Sequence, residues 1–260
     1  MNEMTGDSEQ YLKKKTFFDS LLTIYGRKPV LEALQDKNLD IYRLHLADSN
    51  RPAGIISDII REAEARGVEI LYHDKKVLSR ISRNGKQDQG VAADLRLARQ
   101  QTLEEFLEQK GGKSFKLVAL DRITNPQNLG MIIRSVCAGN ADGLLLPRAG
   151  CAALSPLVIK ASTGTLFKAP LIYCDTLESG LKALEQAGVT CCALSSHAND
   201  SLFAFSPKGS VAYVLGNETE GVSDKVFSLC DQKLSIPMNN GVESLNVAIT
   251  AALIAFHGAS

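Results

Sequence analysis

The stretch Lys116–Pro147, KLVALDRITNPQNLGMIIRSVCAGNADGLLLP, decides the fold class. It opens with an apolar strand, KLVALD, and closes with another, GLLLP. Between them a turn-rich Asn-Pro-Gln-Asn leads into a helix on which Ile132, Ile133 and Val136 recur at helical spacing. A strand that is apolar on both faces, followed by a crossover helix and a second such strand, predicts a parallel sheet covered on both sides.

The same rhythm continues outward from this stretch. APLIYC, TCCALSS, VAYVLGN and KLSIP read as further strands, and LESGLKALEQAG as a helix closed by Gly188. Upstream, roughly Ile24 to Leu97, a smaller α/β module is expected. GRKPVLEALQ is a helix with Pro29 in its first turn, IYRLHLA a strand, and IISDIIREAEARG an amphipathic helix ending at Gly67. VEILYH and QGVAADLRL complete it as strands. The polar ARQQTLEEFLEQKGGKS reads as a connector with a short helix. The expected organisation is therefore an arm over 1–21, a first domain over 22–98, a linker over 99–114 and a second domain over 115–260.

Composition narrows the function classes. With 45% hydrophobic and 22% charged residues, the 260-residue chain reads as an ordinary soluble globular protein without an apolar run long enough for a membrane span. The N-terminal twenty residues lack the apolar stretch of a secretory signal. Formal charge is zero, so a nucleic-acid site would have to be a local patch. Five such cations, Lys75, Lys76, Arg80, Arg83 and Lys86, fall in KKVLSRISRNGK, which otherwise reads as a solvated loop. Six cysteines without short paired spacing, and four histidines far apart in sequence, suggest reduced, mostly buried thiols, no metal site and a cytoplasmic location.

In parallel sheets ligands bind beyond the carboxyl ends of the strands, so chemistry is sought in three loops. In the first, Asn128 reads either as a helix cap or as a site residue, and Arg134 as a surface ion-pair partner or as a group awaiting an anion. Six residues rotate an ideal helix by about 600°, so both could address one site only with Asn128 ahead of the regular helix. The second loop, LGNETEGVS, carries Glu218 and Glu220 beside Gly216 and Gly221. Two carboxylates disfavour a phosphate and favour a ligand bearing positive charge or hydroxyls; no dinucleotide fingerprint follows any strand. The third is IPMNNGVESLNVAITAALIAF at 236–256, whose tail helix lacks charge and looks buried on most sides. Ser244 reads as its cap and Asn246 as a first-turn residue whose amide faces a cleft.

NPQNLGMIIRS, LGNETEGVS and IPMNNGVESLNVAI, in this order, resemble the three motifs of the SpoU (TrmH) RNA ribose methyltransferases of the SPOUT superfamily. IYGRKPVLEALQ and DQGVAA resemble the N-terminal substrate-binding domain of many members, which has the fold of a small kink-turn-binding ribosomal protein. The resemblance implies a deep trefoil knot in the second domain, a homodimer formed through it, and methyl transfer from S-adenosylmethionine to a ribose 2′-hydroxyl of structured RNA.

It further implies that Arg134 addresses the reacting ribose, with Asn128, Glu218, Ser244 and Asn246 completing the site and Asn128 and Glu218 positioning Arg134. Ser195, Gly216, Ile236 and Leu245 match the positions that hold the methyl donor. Thr219 departs from the glycine that many relatives carry between the two acidic positions. The two-domain arrangement is similar to that of bacterial enzymes acting on a guanosine of 23S rRNA, so rRNA is expected ahead of tRNA. A tRNA ribose methylase and a non-catalytic RNA-binding assembly protein on the same scaffold are the rival readings.

Overall fold

The computed structural model describes residues 21–37, 39–96 and 100–258. The expected arm over 1–21 lies outside them except for Leu21, the first residue of a strand. The chain divides into two compact units, Met1–Ala98 and Arg99–Ser260.

The first unit contains β1 (Leu21–Tyr25), α1 (Arg27–Gln35), β2 (Asp40–Ala47), α2 (Ile55–Ala65), β3 (Glu69–His73), α3 (Lys75–Ser82) and β4 (Val91–Arg96). Its sheet has the order β1-β4-β2-β3; β4 runs antiparallel to both neighbours and β2 parallel to β3. The helices form where apolar spacing predicts them. Val30, Ala33 and Leu34 of α1, and Ile56, Ile59 and Ala63 of α2, are the buried faces. Arg66, just past α2, donates from Nη1 to the carbonyls of Ala33, Leu34 and Asp36 at 3.3, 2.8 and 3.0 Å. It thus satisfies carbonyls at the negative end of α1 that the helix itself leaves unpaired.

In KKVLSRISRNGK, which in sequence reads otherwise as a solvated loop, Lys75–Ser82 forms α3 and the rest is a turn. Asp74 starts it by accepting from the backbone N–H of Lys76 and Val77 at 2.8 and 2.9 Å. Leu78 then anchors the helix against Ala47 and Ala92 of the sheet.

The second unit is an eight-stranded sheet, parallel throughout, in the order β10-β12-β9-β11-β6-β7-β8-β5. Its strands are β5 (Gln100–Thr102), β6 (Lys116–Leu120), β7 (Gly143–Pro147), β8 (Leu171–Cys174), β9 (Thr190–Leu194), β10 (Asp200–Ser201), β11 (Val211–Leu215) and β12 (Gln232–Ser235). Its helices are α4 (Leu103–Lys110), α5 (Pro126–Ala138), α6 (Pro156–Ala161), α7 (Leu177–Gln186), α8 (Asp224–Ser228) and α9 (Val247–Phe256).

The stretch expected as a linker belongs to this unit. β5 pairs with β8, and Leu103 and Phe106 of α4 enter the core with Leu117, Ile172, Leu181 and Val214. A polar sequence concealed this because the edge strand QQT has no apolar residue of its own. The alternate residues Val118, Leu144, Cys192 and Tyr213 are also buried, so the central strands are covered on both faces, as their apolar character demands.

Two close approaches position the tail. Helices α5 and α9 pack together, and a Cβ on Gly139 would stand 2.6 Å from the carbonyl oxygen of Ala255. Lys116 Nζ donates to the carbonyls of Ile254 and His257 at 3.1 and 2.8 Å, closing the negative end of α9. Burial holds this ammonium below its ordinary value, against the opposing pull of Asp142. The tail helix is less deeply buried than its composition suggested. Val247, Ala248, Ala251, Ile254 and Ala255 face the core, whereas Ile249 and Phe256 are about half exposed.

Candidate active site

Strand order reverses beside β6: β7 and β8 lie on one side of it, β11 and β9 on the other. The crevice at such a switch point, beyond the carboxyl ends of the strands, is where these sheets bind ligands. The loop after β6 and the loop after β11 meet here, joined by the opening of α9.

Their contact is a directed hydrogen-bond relay. The backbone N–H of Ala248 donates to Asn246 Oδ1 at 2.8 Å, and Asn246 Nδ2 donates to Asn128 Oδ1 at 3.1 Å. Asn128 Nδ2 then donates to Glu218 Oε1. Asn128 is buried, while Glu218 and Asn246 reach solvent. Turning the Asn128 amide over would set oxygen against carboxylate and NH2 against NH2, so both partners fix its orientation. The relay presents the Glu218 carboxylate at the mouth of the crevice with one oxygen committed.

Local sequence explains each position. Asn125, not Asn128, caps α5, accepting from the N–H of Gln127 at 2.8 Å, with Pro126 opening the helix. Asn128 is thereby the third helical residue and faces inward. Asn246, not Ser244, caps α9; Ser244 lies exposed two residues ahead. In the β11 loop, Asn217 Oδ1 accepts from the N–H of Thr219 at 2.9 Å, an Asx-type turn. Thr219 has no positive φ, so the backbone at this position does not call for glycine. Asp121 Oδ2 accepts from the N–H of Ser223 at 2.6 Å and ties the far end of the loop to β6. A Cβ on Gly216 would stand 2.1 Å from Gly221 C and Val222 N, so the loop closes against bare backbone there.

Arg134 is not part of this cluster. With Asn128 inside the regular helix, the six-residue separation turns the two side chains to different faces. The Arg134 guanidinium is exposed and makes no hydrogen bond or ion pair among the described residues. Within this chain, then, Asn128 and Glu218 bond to each other and not to Arg134.

The four residues matched to the donor site lie close to strand ends or to the relay. Ser195, Gly216 and Ile236 follow β9, β11 and β12, which are neighbours in the sheet, and Ser195 N–H donates to Leu234 O at 2.9 Å. Leu245 precedes the Asn246 cap and, like Ile236, is partly exposed. The partly exposed apolar side chains of Ile236 and Leu245, with carboxylates nearby and no phosphate cradle, suit a cationic nucleoside such as S-adenosylmethionine.

The five cations at 75–86 are all exposed on α3 and the turn after it, in the first unit. Sequence reasoning did not single out Asp121, Arg122 or Asn217, although each adjoins a strand end where a loop must be held. It also missed a polar network in the first unit, to which each of the four strands contributes one group. Thr23 Oγ1 donates to Asp94 Oδ1 at 2.6 Å, His45 Nε2 lies 2.9 Å from Asp94 Oδ2, and His45 Nδ1 lies 3.0 Å from His73 Nε2. Histidines distant in sequence are thus adjacent here. Burial, and then the neighbouring His45, hold the His73 imidazole below its ordinary value of 6.5. Burial alone would raise the Asp94 carboxyl, but the bonds from His45 and Thr23 outweigh it and leave it below 3.8.

Among the described residues there is no group of three metal-ligating side chains and no helix long and apolar enough to cross a membrane. All six cysteines are free and four are buried; burial pushes the Cys174, Cys191 and Cys192 thiols up to about 12.

Comparison with known proteins agrees with this geometry. Residues 116–256 match the SpoU rRNA Methylase family, and residues 23–101 match the RNA 2′-O ribose methyltransferase substrate binding domain. A 23S rRNA (guanosine-2′-O-)-methyltransferase RlmB of Xylella fastidiosa is 32% identical over 202 residues, covering 76% of this chain and 80% of that protein. An uncharacterized tRNA/rRNA methyltransferase of Mycolicibacterium vanbaalenii is 30% identical over 243 residues, covering 93% and 76%. An AdoMet-bound rRNA methyltransferase from Sinorhizobium meliloti superposes with a TM-score of 0.63 at 25% identity, covering 94% of this chain and 89% of that one. The chain therefore belongs to the SpoU rRNA methylase family, as an RNA 2′-O-ribose methyltransferase carrying a substrate-binding domain ahead of its methylase domain.

Proposed function

We propose that the protein methylates the 2′-hydroxyl of a guanosine in 23S rRNA, using S-adenosylmethionine, in the cytoplasm. The observation that carries the methyl-transfer part of this reading is the Glu218–Asn128–Asn246 relay at the switch point, made from one residue of each sequence motif. Bound there, S-adenosylmethionine supplies an electrophilic methyl group, so the protein's task is to align an in-line attack and ease removal of the hydroxyl proton. Ser195, Gly216, Ile236 and Leu245 hold the donor through backbone and apolar contact. Glu218, its carboxylate fixed by Asn128, and Ser244 and Asn246 at the opening of α9 orient the ribose.

Arg134 orients the ribose or its neighbouring phosphate and stabilises the developing alkoxide; a guanidinium keeps its charge in neutral water and so serves as a donor fork, not as a base. Its exposure supports a site completed by a second copy of the chain. Met131 and Arg134 are neighbours on the outer face of α5, and Ile249 and Phe256 extend an exposed apolar surface on the adjoining α9. We read this surface as the homodimer contact, the methylase domain as a trefoil knot, and the first unit as a kink-turn-binding-type fold. The α3 cations then meet RNA phosphates.

The rRNA assignment rests on the named relative and leaves tRNA as the alternative target. Incubation of the protein with labelled S-adenosylmethionine and either 23S rRNA or bulk tRNA tests it. Transfer to rRNA as 2′-O-methylguanosine is expected; transfer confined to tRNA assigns the alternative target, and binding without transfer to either overturns the enzymatic reading.

A further inference from the structure

Arg122 takes no part in the steps above, yet it is built at a local disadvantage. It follows β6 with φ +57°, a left-handed backbone that a residue with a Cβ adopts only against resistance. Its Nε is buried without a hydrogen-bond partner, 3.6 Å from Asp121 Oδ1. Native proteins rarely leave such a donor unmet.

What this conformation achieves is a strap across the β11 loop. Arg122 Nη1 donates to Glu220 Oε2 at 2.5 Å, and Nη2 donates to the Gly221 carbonyl at 3.4 Å. The Arg122 carbonyl accepts from Asn217 Nδ2 at 3.1 Å. Glu218 thus lies between two points held by one residue, Asn217 before it and Glu220 after it.

We propose that Arg122 is a positioning residue that holds the 216–223 loop in the form in which Glu218 meets Asn128 and Gly216 borders the donor site. The proposal rests on the methyltransferase reading for its effect on rate, but not for its effect on the loop. Direct use of Arg122 as a phosphate contact is the less favoured role, because Glu220 already neutralises it. The local disadvantage separates positioning from general structural support. A residue kept for stability would lower the melting temperature when removed, whereas Arg122→Gly relieves both the left-handed backbone and the unmet donor.

The test compares full-length wild type with Arg122→Gly, Arg122→Lys, Glu220→Gln and the exchanged pair Arg122→Glu/Glu220→Arg. Four quantities are measured: melting temperature, hydrogen exchange of the loop amides, S-adenosylmethionine binding by calorimetry, and kcat and KM on a 23S rRNA fragment. For Arg122→Gly we expect an unchanged or higher melting temperature, loop exchange faster by about tenfold or more, weaker donor binding, and kcat lower by about tenfold with KM for RNA little altered. Glu220→Gln reproduces part of this loss, and Arg122→Lys and the exchanged pair each recover part of it. Unchanged loop exchange in Arg122→Gly overturns the proposal, as does a rate loss that only follows a lowered melting temperature. A raised KM for RNA in Arg122→Gly, with tighter RNA binding in Glu220→Gln, also overturns it in favour of direct contact. If the wild type transfers no methyl group, the functional reading fails while loop exchange still decides the strap.

Discussion

Replacing Asn128 by Asp changes one NH2 into an oxygen and leaves shape intact, so its effect isolates the relay. Asn246 Nδ2 still donates to the retained oxygen, but the new oxygen faces Glu218 Oε1 where an N–H stood. Two unit charges about 3 Å apart repel by about 5.5 kcal/mol at an effective dielectric of 20, and by about 1.4 kcal/mol in water. Glu218 reaches solvent and its loop can turn outward, so the lower part of that range applies, about 1.5–3 kcal/mol. A loss of that size lowers the melting temperature by about 3–12 °C for a domain of this size. A proton held between the two carboxylates relieves the repulsion. The deficit against wild type should therefore be small near pH 4 and grow as pH rises toward 8. Thermal unfolding across that pH range measures it directly. Glu218→Gln added to Asn128→Asp should restore most of the loss, because the new amide can donate to the new carboxylate with the roles reversed. A deficit independent of pH, or no rescue in the double variant, would refute the adjacency of Asn128 and Glu218.

Gly216→Ala should cost about 1–3 kcal/mol or more and weaken donor binding, because the added Cβ meets backbone of Gly221 and Val222 that cannot swing aside; denaturant titration and calorimetry check it. The first unit should lose stability on acidification in two steps. His73 has its folded value lowered, so stability begins to fall as pH drops below about 6.5, where the unfolded chain gains the proton that the folded one resists. Asp94, also lowered, gives stability that is present above its unfolded value and lost as pH falls through its lower folded one. His73→Gln should abolish the upper step alone in urea unfolding followed from pH 8 to 3. Neutralising Lys75, Lys76, Arg80, Arg83 and Lys86 together should make the log–log salt dependence of RNA binding shallower by up to about 3.5–4.5, near 0.7–0.9 per phosphate contact; an unchanged slope removes α3 from the RNA surface.

The sheet was legible because its strands are apolar on both faces and its helices carry one-sided apolar spacing. LVAL, LLL and VAYVL have no plausible place except inside a covered parallel sheet. β5 was not legible, since QQT joins the sheet at an edge through backbone bonds that any residue can make. The site divides in the same way. Asn128, Glu218 and Asn246 could be picked out because motif residues of the right chemistry fell at strand ends. Which asparagine capped which helix could not, because Asn125 and Asn128, or Ser244 and Asn246, are equally good caps on paper. The separation of Arg134 from Asn128 depended on where α5 begins, and a shift of a few residues in that start reverses the answer. The pairing of His45 with His73 depended on β2 and β3 lying side by side, which no local pattern encodes.

The central claim is methyl transfer to a ribose, aided by Arg134 in a site organised by the relay. Its most direct test is mass-spectrometric nucleoside mapping of rRNA and tRNA after reaction with labelled S-adenosylmethionine, comparing wild type with Arg134→Lys. Labelled 2′-O-methylguanosine at one position of 23S rRNA is predicted for the wild type, and its near-complete loss for the variant despite intact RNA binding. Label on a base nitrogen, or near-normal transfer by Arg134→Lys, would contradict the account.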